Sequence, residues 1–455
     1  MRKNNVFTLA LLADTHYYSP MLGTDGEAYR LRSGSDQKCL AESGDILRSA
    51  FRQIRASGAD AVVIAGDLTN NGELCSHEEL RNLLREMREV IPVYVLTATH
   101  DWCSDRKCAR YVDRETIYDV PTMAAESLAA YYGEFGPDAS ADTFTTPDGA
   151  VSCMVPLQED LRLLLLNDDR NGKGRAGYTE AHLRWIEAQL HKAAADNARV
   201  IAAAHHPVLP PIHPFLTTES SIGDWEKIAA RLADAGLRCI VTGHLHMQDL
   251  PRFCSQAGNP LTEIALGALC GWPGNIVYAD VLPDRLLLRT ESMAAHRDLL
   301  RAQSFGVLTD ILDAAKESRA EYRKRTDALY LRHADLVYPL VRKWAARFDT
   351  WTTAESYAAV RKKIRLLPKL DLKDIGDDPL HDTVERVFLS LFGDGLSLCE
   401  TDELYRLVMA FFALPSRLLP FSRRARELRE SGKALLQKGT LQDETILLTE
   451  QRHET

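Results

Sequence analysis

Short apolar runs alternate with amphipathic segments along the first 295 residues of the chain. In the amphipathic segments, apolar positions repeat at intervals of three and four residues, and Asp45 and Thr179 stand where helix caps are expected. The apolar runs are rich in branched residues, which is typical of strands buried on both faces; they are residues 6–13, 61–65, 93–97, 161–166, 200–204, 239–241, 264–266 and 286–288. This alternation predicts an α/β domain in which helices cover the sheets.

The pattern changes near residue 296, where apolar stripes with helical spacing replace the strand-like runs. The stripes are Val307, Leu308, Ile311 and Leu312; Leu336, Leu340, Trp344 and Phe348; Val384, Val387, Phe388 and Leu391; and Leu404, Leu407, Val408, Phe411 and Phe412. We therefore expect an α/β domain over residues 1–295 and an all-α C-terminal domain over residues 296–455, whose role the pattern does not define.

The charge of the chain narrows the choice of partners. Its 455 residues carry a formal net charge of −9, and affinity for nucleic acid backbones depends on lysine and arginine, so nucleic acid is disfavoured. Two basic runs, residues 361–365 and 423–426, either bind an anionic partner or simply face water. The helical domain is a candidate site for a protein partner or for self-association.

The cysteines and the apolar segments indicate a cytoplasmic protein. The nine cysteines are odd in number and contain no CxxC pair, which argues against a disulfide framework and for reduced thiols. No segment reaches the roughly 20 apolar residues that a membrane span requires. The N-terminal run 6–13 is better explained as a buried strand than as a signal peptide, because Asp14 ends it.

Acidic residues and histidines cluster directly after five of the predicted strands. The carboxyl ends of strands in an α/β sheet meet at one crevice, so these clusters are expected to build one site. Residues i and i+2 of an extended chain point to the same side, and carboxylates and imidazoles suit Zn, Mn or Fe. The clusters are Asp14-Thr15-His16, Gly66-Asp67, Thr99-His100-Asp101, His205-His206-Pro207 and Gly243-His244-Leu245-His246.

These clusters, in this order, resemble the motifs of the calcineurin-like metallophosphoesterases. That family has the ordered motifs DxH, GDxxN, GNHD or GNHE, a histidine shortly before a proline, and GHxH, and the resemblance covers roughly residues 5–295. It implies the four-layer αββα sandwich of the family, with two mixed sheets flanked by helices.

The resemblance also implies two divalent metal ions, such as Mn, Fe or Zn, and their ligands. The first ion would take Asp14, His16, Asp67 and His246; the second would share Asp67 and take His205, His244 and residue 99. The family has asparagine where this chain has Thr99, and a hydroxyl is a poorer donor than an amide carbonyl. The second ion should therefore bind more weakly.

The activity that the resemblance implies is hydrolysis of a small phosphate mono- or diester by a hydroxide that bridges the two ions. His100 is expected to protonate or stabilise the leaving oxygen, with Asp101 holding its ring, and His206 to orient His205. Asn70 either touches the substrate or fixes its turn. His213 is a weaker candidate for the rim of the pocket.

Two other interpretations were weighed. Because Thr99 replaces the usual asparagine, the chain could instead be a metal-binding scaffold that keeps the fold with weak or no activity. Residues 172–177 match the GxGxxG pattern of dinucleotide-binding proteins, but five residues separate the match from its strand, and no acidic strand end follows about 20 residues later. We therefore reject a dinucleotide site.

Overall fold

The computed structural model describes residues 6–448 except 35, 105–106, 141, 170–174, 213–219, 329–333 and 394–397. The side chains of residues 327–328, 334–337 and 340 are also outside the description. His213, half of the rejected glycine-rich match and the side chains of Leu336 and Leu340 therefore lie outside what can be compared with the predictions.

The strands of the described chain form two large mixed sheets and one small ribbon. They are β1 (Phe7–Leu12), β2 (Ala61–Ala65), β3 (Val93–Leu96), β4 (Arg110–Val112), β5 (Glu115–Ile117), β6 (Thr143–Thr145), β7 (Val151–Gln158), β8 (Leu161–Leu165), β9 (Arg199–Ala203), β10 (Cys239–Thr242), β11 (Arg252–Cys254), β12 (Pro260–Ala265), β13 (Asn275–Val281), β14 (Arg285–Ser292) and β15 (Thr445–Leu447). Within the described residues, the first sheet has the order β15-β14-β13-β1-β2-β3 and the second the order β11-β12-β10-β9-β8-β7-β6. Strands β4 and β5 form the ribbon.

The two large sheets pack face to face around a shared apolar core. Alternate residues of each strand point inward, so Leu9 and Leu11 of β1 meet Leu163 of β8 and Val241 of β10 in this layer. Strands β1, β2 and β3 run parallel, as do β8, β9 and β10. Their carboxyl ends are therefore free to present loops at one edge of the sandwich.

Helices cover the outer face of each sheet and make up most of the C-terminal region. They are α1 (Gly26–Ser33), α2 (Ser43–Ser57), α3 (Leu74–Arg88), α4 (Ala125–Tyr131), α5 (Glu180–Ala195), α6 (Trp225–Asp234), α7 (Arg297–Glu317), α8 (Arg319–Ala328), α9 (Ala334–Ala345), α10 (Thr353–Lys363), α11 (Leu380–Ser390), α12 (Glu403–Phe412), α13 (Leu414–Leu418) and α14 (Arg423–Leu436). Apolar faces of α2 and α3 pack on the first sheet, and those of α5 and α6 pack on the second. The predicted four-layer αββα sandwich with an added helical region is confirmed.

The C-terminal region returns to the sandwich after its helices. Strand β15 pairs antiparallel with β14 at the edge of the first sheet, and Leu441, Ile446 and Leu448 lie in the core between the sheets. The domain boundary at residue 295 stays a prediction. The last described residues, however, belong to the first sheet rather than to an all-α domain. None of the described helices combines the length and the apolar character that crossing a bilayer would need.

Most predicted elements match the observed ones. Of the two predicted helix caps, one is observed and the other is not. Thr179 caps α5, because its hydroxyl accepts from the backbone N–H of His182. The prediction for Asp45 was wrong: α2 begins at Ser43, so Asp45 lies in its first turn. Both basic runs of the helical region are largely exposed.

Candidate metal centre

The five predicted clusters follow β1, β2, β3, β9 and β10, and the backbone joins their loops. The backbone N–H of Asp14 donates to the carbonyl of Gly66 at 3.1 Å, and the backbone N–H of His16 donates to the backbone carbonyl of Asp67 at 3.0 Å. In the second sheet, the N–H of Gly243 donates to His205 at 3.0 Å. These bonds fix the loops of each sheet relative to one another before any side chain contributes.

Five predicted ligands have backbone torsions in the left-handed region, which L-residues other than glycine rarely adopt. Their φ angles are 52° for Asp14, 39° for His16, 48° for Asp67, 75° for His244 and 57° for His246. The chain turns sharply at the end of each strand and directs these side chains inward. Such torsions persist only where surrounding contacts hold them, which is typical of functional sites.

Two glycines allow the loops to approach one another closely. A Cβ atom added to Gly66, whose φ is 90°, would lie 2.5 Å from Nδ1 of His205. A Cβ atom added to Gly243 would lie 2.5 Å from Oδ2 of Asp14. Neither position has room for a side chain, so both glycines are required by the packing of the predicted ligands.

The first group of predicted ligands comprises Asp14, His16 and His246, whose donor atoms lie within 4.8 Å of one another. The Nε2 atoms of His16 and His246 are 3.0 Å apart, and Nε2 of His246 lies 3.5 Å from Oδ1 of Asp14. Nδ1 of His246 pairs with the side-chain amide of Gln37 at 2.7 Å. Burial lowers the pKa of His16 well below its usual value, which favours the neutral form that binds metal ions.

Asp67 connects this group to the second one. Its Oδ2 lies 3.9 Å from Nε2 of His16 and 3.2 Å from Nε2 of His205. Nδ1 of His205 pairs with the carbonyl of Ala65 at 2.8 Å, which leaves Nε2 facing Asp67. Burial opposes protonation of His205, but the carboxylates of Asp67, Asp14 and Asp168 outweigh it and raise its pKa well above the usual value. The carboxylates thus favour a positive charge at Nε2.

His244 completes the second group together with His205 and His206. The backbone N–H of His244 donates to both carboxylate oxygens of Asp14, at 3.1 and 3.0 Å. The rings of His205 and His244 have their centroids 5.2 Å apart. The expectation that His206 orients His205 was wrong: the carbonyl of Ala65 does so, whereas Nδ1 of His206 pairs with Oδ1 of Asp168 at 2.9 Å.

The residues present fit divalent metal ions. Nε2 of His16 lies 3.8 Å from Oδ1 of Asp14, and the buried Nε2 of His205 lies 3.2 Å from Oδ2 of Asp67 without the geometry of a hydrogen bond. Unpaired buried nitrogens are costly unless a proton or a cation occupies the space that they face. Imidazoles whose second nitrogen is held by a carbonyl or an amide, as in His205 and His246, are the usual arrangement of metal-binding histidines.

His100 lies beside the first group, with its ring centroid 4.8 Å from that of His16. Its backbone N–H donates to Oδ1 of Asp67 at 3.1 Å, and its Nδ1 donates to the carbonyl of Asn70 at 2.5 Å. Burial is the main reason why its pKa lies below the usual value. Nε2 is therefore the atom of His100 that is left to meet a substrate.

Asp101 does not hold the ring of His100, contrary to the prediction. Its Oδ1 accepts from the backbone N–H of Thr69 at 2.8 Å, and its Oδ2 accepts from the N–H of Ala98 at 2.8 Å. Burial, reinforced by the charge of Asp67, raises the pKa of Asp101 to about 7. Asp101 braces the loops after β2 and β3, and the carbonyl of Asn70 orients His100 instead.

Thr99 and Asn70 are close in sequence to residues of the site: Thr99 directly precedes His100, and Asn70 follows Asp67 by three residues. Thr99 begins the short 3-10 turn Thr99–Asp101 and is half-buried, and its role as a ligand stays a prediction. The side-chain amide of Asn70 donates to Oε1 of Glu73 at 3.1 Å, so Asn70 fixes its turn through both side chain and backbone. Contact of Asn70 with substrate stays a prediction.

Two supporting residues, Gln37 and Asp168, were missed by the sequence reasoning. Gln37 lies between α1 and α2, far from every motif, and nothing in its local sequence indicates that it reaches His246. Asp168 follows β8 in the stretch Asn167-Asp168-Asp169. A carboxylate pair after a buried strand is the same signal that identified the other clusters, so Asp168 could have been found.

Comparison with known proteins identifies relatives with similar sequences. The chain is 27% identical over 258 residues to a Rhodococcus erythropolis protein named "Probable cyclic nucleotide phosphodiesterase", which covers 56% of this chain and 68% of the relative. It is 24% identical over 243 residues to a cAMP/cGMP dual specificity phosphodiesterase of Mycobacterium tuberculosis, which covers 53% of this chain and 62% of the relative.

Solved structures with some similarity include a dimetal phosphatase from Danio rerio. It is 19% identical, the match covers 64% of this chain and 97% of that one, and the TM-score is 0.44. A purple acid phosphatase from yellow lupin is 13% identical, with coverage of 64% and 52% and a TM-score of 0.40.

The sequence model of the family described as calcineurin-like phosphoesterase matches residues 7–248, which is more than half of the chain. The match begins at β1 and ends just after His246, so it contains every predicted metal ligand. The chain therefore belongs to the calcineurin-like phosphoesterases, a family of phosphoric ester hydrolases.

Proposed function

We propose that this protein hydrolyses a small phosphate mono- or diester with the help of two divalent metal ions. The observation that carries the proposal is the convergence of the six predicted carboxylate and imidazole ligands at one edge of the sandwich, where Nε2 atoms of three histidines lie 3.2 to 3.8 Å from carboxylate oxygens of Asp14 and Asp67. Asp14, His16, Asp67 and His246 would hold one ion, and Asp67, His205, His244 and Thr99 the other.

The ions, when bound, supply Lewis-acid polarisation of the phosphoryl group and a water of lowered pKa. The side chains of this protein do the remaining work. The carbonyl of Asn70 accepts the proton of Nδ1 of His100, which directs Nε2 to the leaving oxygen; Nε2 can protonate that oxygen only when the ring is an imidazolium ion. Asp101 keeps the His100 turn in place by accepting from backbone N–H groups on both sides.

The substrate class follows from chemistry and from the relatives. The net charge of −9 disfavours long nucleic acids, whereas small esters require only the local positive charge of the site. Both curated relatives are named as cyclic nucleotide phosphodiesterases, so cAMP and cGMP are the first natural diesters to test. We propose a cytoplasmic location, which buried free thiols such as Cys153 and Cys239 support.

The test uses the full-length protein loaded with Mn²⁺ and offered p-nitrophenyl phosphate, bis(p-nitrophenyl) phosphate, cAMP and cGMP. We expect turnover of at least one ester and its loss in Asp67→Asn, with a parallel fall in metal content. Asp280→Asn is the matched control, because Asp280 bonds Thr8 at the opposite end of β1. A metal-loaded protein that hydrolyses none of the esters would overturn the proposal.

A second candidate function is a metal-binding scaffold, which Thr99 and the surface of the helical region favour. Phe421 is 95% exposed and Leu419 is 61% exposed, beside the basic run 423–426. Such a surface fits a protein partner or a second copy of the chain. One bound ion or none, together with partner capture that is lost on Phe421→Ser, would favour the scaffold over the enzyme.

A further inference from the structure

A third histidine, His206, lies beside the two histidines that are assigned to the second ion. Donor atoms of His205, His206 and His244 lie within 4.8 Å of one another. The ring centroid of His206 is 4.3 Å from that of His244 and 5.0 Å from that of His205. Three imidazoles this close cannot all be protonated, because like charges repel strongly at short range in a largely buried site. Their unprotonated nitrogens carry lone pairs that suit a divalent cation.

The chain bends where the two adjacent histidines follow β9. Neighbouring residues of an extended strand point to opposite sides, so His205 and His206 could not both reach one ion from within a strand. Strand β9 ends at Ala203, and residues 205 and 206 lie in a bend. The bend brings both rings toward His244, so adjacent residues of the sequence can serve one ion.

Asp168 fixes the orientation and the tautomer of the His206 ring. Its Oδ2 accepts from the backbone N–H of His206, and its Oδ1 pairs with Nδ1 of His206, both at 2.9 Å. A carboxylate only accepts hydrogen bonds, so Nδ1 carries the proton and Nε2 of the neutral ring carries the lone pair. A carboxylate on the second nitrogen of an imidazole is the usual support of a metal-binding histidine.

The loop after β8 holds Asp168 in place. Asp168 is 1% exposed, and its carbonyl accepts from the N–H of Gly177 at 2.8 Å. The indole N–H of Trp102 donates to Oδ2 of the next residue, Asp169, at 2.8 Å. Trp102 directly follows the turn Thr99–Asp101, so the loop that carries Asp168 is joined to the turn that carries Thr99.

We propose that Nε2 of His206 is a further ligand of the second divalent ion and that Asp168 is its positioning residue. Asp67, His205 and His244 supply three strong donors to this ion, whereas Thr99 supplies only a hydroxyl. Imidazole nitrogen suits Zn, Mn or Fe better than a neutral hydroxyl does, so His206 compensates for the missing asparagine. The inference rests on the proposed function, because it adds a ligand to the second ion of that centre.

Two variants of His206 separate metal binding from a structural pairing with Asp168. His206→Asn places an amide nitrogen near the position of Nδ1 and has no atom near Nε2, so it keeps the bond to Asp168 and loses the ligand. His206→Gln places its amide oxygen near the position of Nε2 and loses the bond to Asp168. His182→Asn is the matched control, because His182 is a buried histidine of α5 whose ring stacks on Phe144 with centroids 4.6 Å apart.

The metal-free full-length protein is titrated with Mn²⁺ by calorimetry, and elemental analysis and Tm are recorded for every variant. In parallel, the protein labelled with ¹⁵N-histidine is compared with and without Zn²⁺ by NMR, because coordination shifts the resonance of the bound ring nitrogen.

We expect two binding steps in the parent, loss of the weaker step in His206→Asn, and partial retention of that step in His206→Gln. Asp168→Asn should weaken the same step by roughly 10–100-fold, which is typical for an outer partner of a ligand. Zn²⁺ should shift the Nε2 resonance of His206 in the parent. His182→Asn should lower Tm and leave both binding steps unchanged.

A His206→Asn variant that binds both ions like the parent, with an Nε2 resonance of His206 that Zn²⁺ does not shift in the parent, would overturn the assignment and leave a structural pairing with Asp168. If that parent hydrolyses an ester, the proposed function stands without the inference. A parent that binds two ions with His206 as a ligand but hydrolyses no ester would support the assignment and contradict the proposed function alone.

Discussion

Individual residues at the candidate centre are held in conformations that their neighbours impose. Asp14, His16, Asp67, His244 and His246 all have positive φ, and Gly66 and Gly243 leave room that a Cβ atom would fill. A left-handed L-residue costs roughly 1–2 kcal/mol, so the five predicted ligands together represent a considerable strain. We infer that the core between the sheets supplies the stability that tolerates it.

The requirement for glycine at residue 66 can be tested with an alanine pair. Gly66→Ala should distort His205 and lower metal content strongly, because the new Cβ atom would lie 2.5 Å from Nδ1 of His205. Gly58→Ala is the matched control, since Gly58 has a φ of 77° with nothing within 4 Å of an added Cβ. It should cost about 1 kcal/mol by urea unfolding and leave metal content intact. Similar metal loss in both variants would contradict this account.

Thr99 is predicted to weaken the binding of the second ion. Thr99→Asn should tighten the weaker of two metal-binding steps and raise activity, because an amide carbonyl is a better oxygen donor than a hydroxyl. Thr99→Val, which keeps the shape and removes the oxygen, should weaken the same step. The measurement is a Mn²⁺ titration of the metal-free protein. Three indistinguishable titrations would remove Thr99 from the ligand set.

The raised pKa of Glu263 predicts how the stability of the protein changes with pH. It is fully buried on β12, its Oε2 accepts from the N–H of Leu209 at 2.6 Å, and burial raises its pKa to about 8. Between its ordinary pKa near 4.5 and about 8, the folded chain keeps a proton that the unfolded chain has released, so rising pH lowers stability across this window.

Glu263→Gln replaces the titratable carboxyl group with an amide that does not titrate and keeps the shape of the side chain. The Tm of the variant relative to the parent should therefore rise between pH 6 and pH 8.5, at about 2–4 °C for each kcal/mol gained. Thermal unfolding at several pH values provides the check. A difference in Tm that is constant with pH would show that Glu263 is ionised in the folded protein.

At the scale of elements, local sequence was a good guide to the parallel strands but missed several antiparallel ones. Runs such as 61–65 are apolar on both faces and match β2 residue for residue. Strands β7 and β13 were missed because polar residues interrupt both, as in Asn275–Val281. Strand β15 has only three residues, and its pairing with β14 depends on contacts about 160 residues apart in the chain.

The return of the chain to the first sheet has a direct test. Ile446→Ala should destabilise the protein by about 2–5 kcal/mol, because Ile446 is buried between the sheets. Leu447→Ala, one residue further along β15, should change stability by no more than about 0.5 kcal/mol, because Leu447 is 42% exposed. Urea unfolding measures both. Equal effects would show that β15 is not part of the folded sheet.

At the scale of the whole molecule, the helical region and the sandwich share more than a covalent link. The backbone N–H of Gln248, two residues after His246, donates to the carbonyl of Phe392 at 2.8 Å. Leu300 of α7 packs against Gly274, where an added Cβ atom would lie 2.3 Å from its Cδ1. We propose that residues 297–448 stabilise the edge of the sandwich that carries the centre.

The sequence motifs were sufficient to predict which side chains converge, because strand ends in an α/β sheet meet at one edge. They were not sufficient to identify what supports those side chains. Gln37 and Asp101 depend on contacts between distant segments: Gln37 reaches His246, and Asp101 bonds the backbone of Thr69 rather than the ring beside it. Such contacts leave no periodic signal in the local sequence.

The central claim is that Asp67 joins two metal ions in one hydrolytic centre, and metal stoichiometry tests it most directly. Elemental analysis of the full-length protein after Mn²⁺ loading should give two ions per chain. Asp67→Asn should lose both ions, while Asp280→Asn keeps them. The loss of affinity or activity in Asp67→Asn should exceed the roughly 10–100-fold that is typical when a residue that only holds a metal ligand is replaced. A parent chain that binds no metal, or an Asp67→Asn variant with full metal content and full activity, would contradict the account.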